Sequence, residues 1–342
     1  MSGKIGVGII GCGAIGGVHA ENFFKQQNSR LVAVADVLEE RSRELATRFG
    51  VEAYADYRQL LRREDIQAVA ICLPHNLHAQ VTVEAATAGK HILCEKPIAT
   101  NLKDADQMIA AAHDAGVKLG IVYNLRFDEV IQKSRKALDE SKLGKLIAGD
   151  VLVKNFRSDD YYTGWRTKWD TQGGGVVITQ AIHWIDIFQW FFGPVDSLYG
   201  IIDTLTHNIE VEDVAASVIR FKNGAIGSFF ASTSTFPGSP TRMDIHGSNG
   251  TITIESTDKA TVMTRDGRHE TWVPSTKYRP VMVPPFVPVE GHEPCIKDFI
   301  SAIAEAREPA VTGEEGRKSL EITLAVYDSA KSRRAVEFPL KE

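Results

Sequence analysis

Gly11-Cys12-Gly13-Ala14-Ile15-Gly16 directly follows the apolar run Ile5–Ile10 and opens a helical pattern, a glycine spacing suited to a dinucleotide diphosphate. Gly11 permits the tight turn, Gly13 lets the backbone approach the diphosphate and Gly16 lets the helix pack closely on the strand. The first helical N–H groups, at Ala14 and Ile15, face the anion. Asp36 ends the second apolar run, where a carboxylate accepts hydrogen bonds from an adenosine ribose. It would repel a 2′-phosphate, and Val37 and Leu38 bring no compensating cation, so the expected cofactor is NAD rather than NADP. Lys96 falls just past the run His91–Cys94, at the carboxyl end of a predicted parallel strand, where open α/β sheets bind ligands. A lone strand-end lysine is ordinarily solvated. Beside Glu95, Pro97 and the glycine turn, this ammonium can instead hold a substrate oxygen and stabilise the alkoxide that grows as hydride leaves. Glu95 points the other way on a strand and can fix the local backbone or a ribose. Further on, Asn155-Phe156-Arg157-Ser158-Asp159-Asp160-Tyr161-Tyr162-Thr163-Gly164-Trp165-Arg166 mixes aromatic faces, which stack on a sugar ring, with donors for hydroxyls. Asn155, Arg157, Tyr161, Trp165 and Arg166 are its candidate polyol contacts; a polar loop whose tyrosines cover the core is the plainer alternative.

These residues need a scaffold that ends strands at one edge. Apolar runs at 5–10, 31–35, 68–73, 91–94 and 118–122 alternate with helical patterns such as 77–88 and 102–115, the latter with Asn101 as N-cap and Gly116 past its end. That alternation predicts a doubly wound α/β Rossmann domain over residues 1–124. After it come a helix at 128–141 and β-rich segments at 146–156, 197–205, 215–221 and 225–232. Hairpin signals stand at Lys222-Asn223-Gly224, Ser248-Asn249-Gly250 and Asp266-Gly267. Residues 125–342 therefore read as an α+β domain with a mostly antiparallel sheet, a Pro-rich loop at 280–294 and two closing helices near 295–306 and 314–330.

Composition narrows the chemistry. The 342 residues are 43% hydrophobic and 24% charged, with a net charge of −5 and no basic block, which removes the footprint of a nucleic-acid binder. No segment is apolar enough to span a bilayer, and the start lacks the apolar core of a secretory signal, so a cytoplasmic location is expected. Cys12, Cys72, Cys94 and Cys295 have no metal-ligand spacing; neither metal nor disulfide is expected.

Cys72-Leu73-Pro74-His75-Asn76-Leu77-His78 and Gly89-Lys90-His91-Ile92-Leu93-Cys94-Glu95-Lys96-Pro97 make the chain resemble the glucose–fructose oxidoreductase/inositol dehydrogenase family. Asn124-Leu125-Arg126-Phe127, Gly173-Gly174-Gly175 leading to His183 and Asp186, and Gly291-His292 extend the resemblance from Lys4 to about Pro339. It implies an open-faced sheet in the second domain, an active site between the domains, and a homodimer or homotetramer formed through that sheet, whose flat apolar face would otherwise be a liability. It also implies Lys96 beside nicotinamide and substrate hydroxyl, a cis bond before Pro97, cofactor contacts from Leu73, Pro74, His78, Glu95 and Asn124, and, as weaker assignments, Arg126 and His292 near the substrate. The family's Asp-x-x-x-His reads Thr179-Gln180-Ala181-Ile182-His183 here, so threonine replaces the acid. On a helix these two ends share a face, and histidine is a suitable acceptor of a hydroxyl proton. A buried structural histidine is the competing reading, since Ile182, Trp184 and Ile185 make the segment apolar. The expected activity is NAD-dependent oxidation of a secondary hydroxyl in a sugar, sugar derivative or cyclitol, with Lys96, His183 and Thr179 as catalytic group. A glycoside-processing enzyme with tightly held, transiently reduced NAD, and a catalytically silent NAD-binding regulator, are the rival readings.

Overall fold

The computed structural model describes residues 3–275, 282–283, 287–288 and 290–340. By internal packing the chain divides into two units, Met1–Asn124 with Arg279–Arg317, and Leu125–Tyr278 with Lys318–Glu342. The stretch 279–317, which the sequence suggested for the second domain, thus belongs to the first. Its reason is the edge of the first sheet. Ile121 donates its N–H to Val311 O at 3.0 Å, Gly120 bridges Thr312, and a Cβ on Gly120 would sit 3.2 Å from Phe299. Part of the Pro-rich stretch 280–294 falls outside the described residues; within it Met282–Val283 pairs antiparallel with Val287–Pro288, and the first closing helix begins at Glu293.

In the first unit the strands β1 (Ile5–Ile10), β2 (Ser29–Ala35), β3 (Glu52–Tyr54), β4 (Ala68–Ile71), β5 (His91–Cys94) and β6 (Leu119–Ile121) form one parallel sheet in the order β3-β2-β1-β4-β5-β6. The apolar runs of β1, β2 and β4 are buried almost throughout, as strands covered on both faces must be. Crossover helices α1 (Ala14–Lys25), α2 (Glu39–Phe49), α3 (Tyr57–Leu61), α4 (His78–Thr87) and α5 (Leu102–Asp114) connect them. The predicted cap is present: Asn101 accepts the N–H of Asp104 at 2.9 Å.

The second unit holds α6 (Glu129–Asp139), β7 (Leu146–Lys154), α7 (Ile182–Phe192), β8 (Val195–Asp203), β9 (Val214–Phe221), β10 (Ile226–Ser232), β11 (Arg242–Gly247), β12 (Gly250–Glu255), β13 (Lys259–Thr264) and β14 (His269–Trp272). Its sheet runs β14-β13-β12-β11-β7-β10-β9-β8, closed at the β8 edge by the short strand Val336–Glu337. Pairing is antiparallel except between β7 and β10. One face is covered by α7, with Phe188 over Gly227 and Phe192 over Gly149. The other face shows Tyr199, Ile201, Val218 and Ile226 to solvent.

Candidate active site

In the first unit the glycine turn has the shape its spacing requires. Gly11 has φ +98°, and a Cβ there would lie 2.2 Å from Cys72 O; at Gly16 it would lie 1.9 Å from Gly11 O. At Gly13, by contrast, a Cβ would meet nothing within 4 Å. The turn is therefore packed tightly against β1 and β4 on one side and open beside the second glycine, the side on which the first-turn N–H groups of α1 can receive an anion. Asp36 fixes this turn, accepting the N–H of Cys12 and the N–H of Leu38, each at 2.8 Å. Its carboxylate and the turn are thus one unit, and they fit a dinucleotide.

Lys96 is half-buried past the end of β5, and the Lys96–Pro97 bond is cis. His78 is fully buried, with Nδ1 2.8 Å from Pro97 O and Nε2 2.9 Å from Leu73 O. It ties the turn after β4, with Leu73 and Pro74, to the turn carrying Lys96. Burial pushes its imidazole below the ordinary range, against the pull of the two carbonyls. Its two ring nitrogens face backbone carbonyls, so its position is that of a support between the two turns.

Glu95 is buried as well. Its Oε1 lies 2.8 Å from His19 Nε2 and 3.8 Å from His292 Nε2, and its Oε2 accepts the N–H of Lys96 at 3.3 Å. Burial pushes the carboxyl up, but the His19 hydrogen bond and the charges of His19, His292 and Lys96 outweigh it and hold the group down at about 2. Two imidazoles and a carboxylate are also donor types that bind transition metals. The second nitrogen of His19, however, is buried with no hydrogen-bond acceptor, whereas a ligating histidine needs a partner for that N–H. The geometry is that of a hydrogen-bonded support for the backbone of Lys96. Glu95 thus holds the local backbone, one of the two roles its sequence position suggested, and His292 is buried beside it. Asn124, half-buried, has its side-chain amide beside Gly291.

In the second unit, Gly173-Gly174-Gly175 enters a π-helical turn, Val177–Ala181, that runs on into α7. A Cβ on Gly174 would lie 2.1 Å from Tyr327 OH, and one on Gly175 1.8 Å from Glu212 O. These close approaches let buried Glu212 cap the turn: it accepts N–H groups from Gly175 at 2.7 Å and Val177 at 2.9 Å, and the Tyr327 hydroxyl at 2.9 Å. Burial raises its carboxyl to about 7 even against these donors. Thr179 is buried in the turn and donates its hydroxyl to Gly175 O at 2.7 Å. His183 is half-buried one turn on. The wider π turn replaces the regular helix that the spacing suggested for 179–183.

Gln180, not singled out by its sequence, gathers the loop. Its Oε1 accepts from Asn155 Nδ2 at 3.3 Å and Arg157 at 3.2 Å, while its Nε2 donates to Tyr161 OH at 3.0 Å. The Arg166 guanidinium lies 4.8 Å from the Trp165 ring and 5.3 Å from the Tyr161 ring. Behind the loop His207 links Asp213, at 2.9 Å, to Arg157 O, also at 2.9 Å. Asn155, Arg157, Tyr161, Trp165 and Arg166 are thus brought together around Gln180, the residue that follows Thr179 in the chain. Arg126 is not among them. It is buried, bound bidentately to Asp186 at 2.7 Å and 2.7 Å, with Ser319 donating to the same carboxylate. An arginine so engaged braces α7.

A Rossmann sheet with an open glycine turn, followed by a second unit with a mostly antiparallel sheet, is the architecture of a nicotinamide-dependent oxidoreductase. Residues 5–123 match the oxidoreductase family with an NAD-binding Rossmann fold, and residues 131–253 match the GFO/IDH/MocA C-terminal domain. The chain belongs to this family. It is an NAD-dependent oxidoreductase acting on CH–OH donors. Among its relatives, the myo-inositol 2-dehydrogenase of Thermotoga maritima is 30% identical, covering 97% of this chain and 98% of that one. The WlbA dehydrogenase from Bordetella pertussis, solved in complex with NADH and UDP-GlcNAcA, is 28% identical with a TM-score of 0.87 over 99% of this chain and 100% of that one. A levoglucosan dehydrogenase complex with NADH and levoglucosan is 25% identical with a TM-score of 0.89, covering 98% and 100%. Among the described residues no helix is long and apolar enough to cross a membrane.

Proposed function

We propose that the protein oxidises a secondary hydroxyl of a sugar, sugar derivative or cyclitol, with Lys96, His183 and Thr179 acting on that hydroxyl. The observation that carries this reading is the convergence of Asn155, Arg157 and Tyr161 on Gln180, which adjoins Thr179 and lies on the turn before His183. Groups suited to a polyol are thereby tied to the segment that carries the proton acceptor. When bound, NAD supplies a hydride acceptor. Gly11, Gly13 and Gly16, with the N–H groups of Ala14 and Ile15, would receive its diphosphate, and Asp36 its adenosine ribose, favouring NAD over NADP. The Lys96 ammonium holds the substrate oxygen and stabilises its developing negative charge. His183, neutral, takes the hydroxyl proton, and Thr179 accepts a hydrogen bond but cannot serve as base. The inositol and levoglucosan enzymes among its relatives point to the same substrate class. A second copy covering Tyr199, Ile201, Val218 and Ile226 on the open sheet face would make a homodimer or homotetramer.

The test is NADH formation by the purified protein across inositols, hexoses, pentoses and sugar acids. Turnover on at least one class, abolished in Lys96→Ala, is expected. Tightly copurifying NAD with glycoside cleavage and no net NADH would replace this reading by transient oxidation, and bound NAD with no turnover at all would leave a silent binder.

A further inference from the structure

We infer that the substrate carries an anionic group, a carboxylate or a phosphate, seated by Arg157 and Arg166 around the ring of Tyr161. This deepens the proposed polyol reading and rests on it. Both residues are half-buried, and both guanidinium carbons lie within 5.5 Å of the Tyr161 ring centroid, at 5.5 Å for Arg157 and 5.3 Å for Arg166. Two like charges share one aromatic ring, with no ion-pair partner among the described residues. Asp159 and Asp160 stand exposed in the same loop, yet among the described residues neither arginine forms an ion pair. The Arg157 side chain donates to Phe156 O and Gln180 Oε1, both at 3.2 Å, which are neutral acceptors; the Arg166 guanidinium has no hydrogen bond at all among the described residues.

Stacking on an aromatic ring engages the guanidinium face and leaves the N–H edge available. That edge is a planar fork matched to carboxylate or phosphate oxygens. The place also fits: Gln180 joins Arg157 and Tyr161 to the turn bearing Thr179. A neutral polyol settling here would desolvate two cations without pairing them, which is unfavourable. An anionic substituent removes that penalty. The seat therefore selects sugar acids or sugar phosphates over the corresponding neutral sugars.

The experiment compares kcat/KM of the full-length enzyme with NAD on pairs differing only in charge: D-glucose against D-glucuronate for a carboxylate, and D-glucose and myo-inositol against their monophosphates. Charge-assisted bonds of this kind predict a preference for the anionic member of about ten- to a hundredfold at low salt. It should shrink as salt is raised. In Arg166→Gln and Arg157→Gln the ratio should collapse by a similar factor, and Arg166→Lys should keep part of it. The Arg166 guanidinium makes no hydrogen bond among the described residues, so its variant carries the test if Arg157→Gln does not fold. Equal or better use of the neutral members by the unmodified enzyme, or an unchanged ratio in both glutamine variants, overturns the inference. Calorimetric binding of the same compounds to the NADH-loaded protein separates the two levels of the argument. If nothing is oxidised but glucuronate or a sugar phosphate binds and Arg166→Gln abolishes it, the polyol-oxidation reading fails and the anion seat stands. If neither anionic nor neutral member binds, or both bind alike, the seat is refuted.

Discussion

Removing the Glu212 carboxyl should unseat the turn that carries Thr179 and His183. Its two oxygens receive three donors, the N–H groups of Gly175 and Val177 and the hydroxyl of Tyr327, and the residue is 1% exposed, so water cannot replace it. Glu212→Ala strands these donors. At about 1–3 kcal/mol for each buried unsatisfied group, and with Tyr327 partly able to relax, the loss is on the order of 3–6 kcal/mol. For a unit of this size that is a fall in Tm of roughly 10 °C or more, read by calorimetry. Glu212→Gln behaves differently because the amide is an isostere of the protonated acid. The folded carboxyl is raised from 4.5 to about 7 by burial. Between those values the native state holds a proton that the unfolded chain has released. Its stabilising effect is complete below about 4.5 and is lost as pH rises through about 7, a decline of about 3 kcal/mol. The glutamine variant should lack that decline and lie closest to the unmodified protein at acidic pH. A Glu212→Ala Tm within a degree of the parent, or a Glu212→Gln stability profile parallel to the parent's across this range, would refute the reasoning.

Three other outcomes are expected. Asp36→Ala combined with Val37→Arg should erode the preference for NAD over NADP in kcat/KM, and equal use of both cofactors by the unmodified enzyme contradicts the role given to Asp36. Lys96→Ala should lower kcat by orders of magnitude while NADH still binds, and His183→Ala by roughly a hundredfold or more, with Thr179→Ala milder than either; near-normal rates in both of the first two variants would remove the proposed catalytic group. Arg126→Ala should lower Tm, by several kcal/mol of stability, because it leaves the Asp186 carboxylate buried and unpaired; an unchanged Tm with a raised KM would return Arg126 to the substrate.

The first unit was legible because its strands are uniformly apolar and its special residues are local. Gly11, Gly13 and Gly16 lie in one turn, and Asp36 ends the next strand. Strand β3 escaped because Glu52-Ala53-Tyr54 is short and solvated, with no apolar run to mark it. In the second unit the turns at Ser248-Asn249-Gly250 and Asp266-Gly267 were visible while the strands β11–β14 beside them were not assigned. The partners of the buried charges were not legible, for one physical reason. Arg126 and Asp186 are 60 positions apart, and His19 and Glu95 are 76 apart, so the partner that buries each charge is invisible along the chain. A charged side chain in a functional neighbourhood then looks available when it is already spent.

The glycine triplet shows what such distance conceals. In sequence, Gly173-Gly174-Gly175 marks a turn and little else. In the structure its missing side chains make room for Tyr327 and Glu212, which arrive from remote segments. A methyl at Gly175 would collide with Glu212 O at 1.8 Å, displacing the residue whose carboxyl caps the turn. Gly175→Ala pushes the Glu212 backbone away and Glu212→Ala removes its carboxyl, so both undo the same cap. Because they share it, their effects should not add: the double variant should be destabilised little more than the worse single one. Full additivity would mean that the glycines serve backbone conformation alone, and that the cap and the triplet are independent features of the turn.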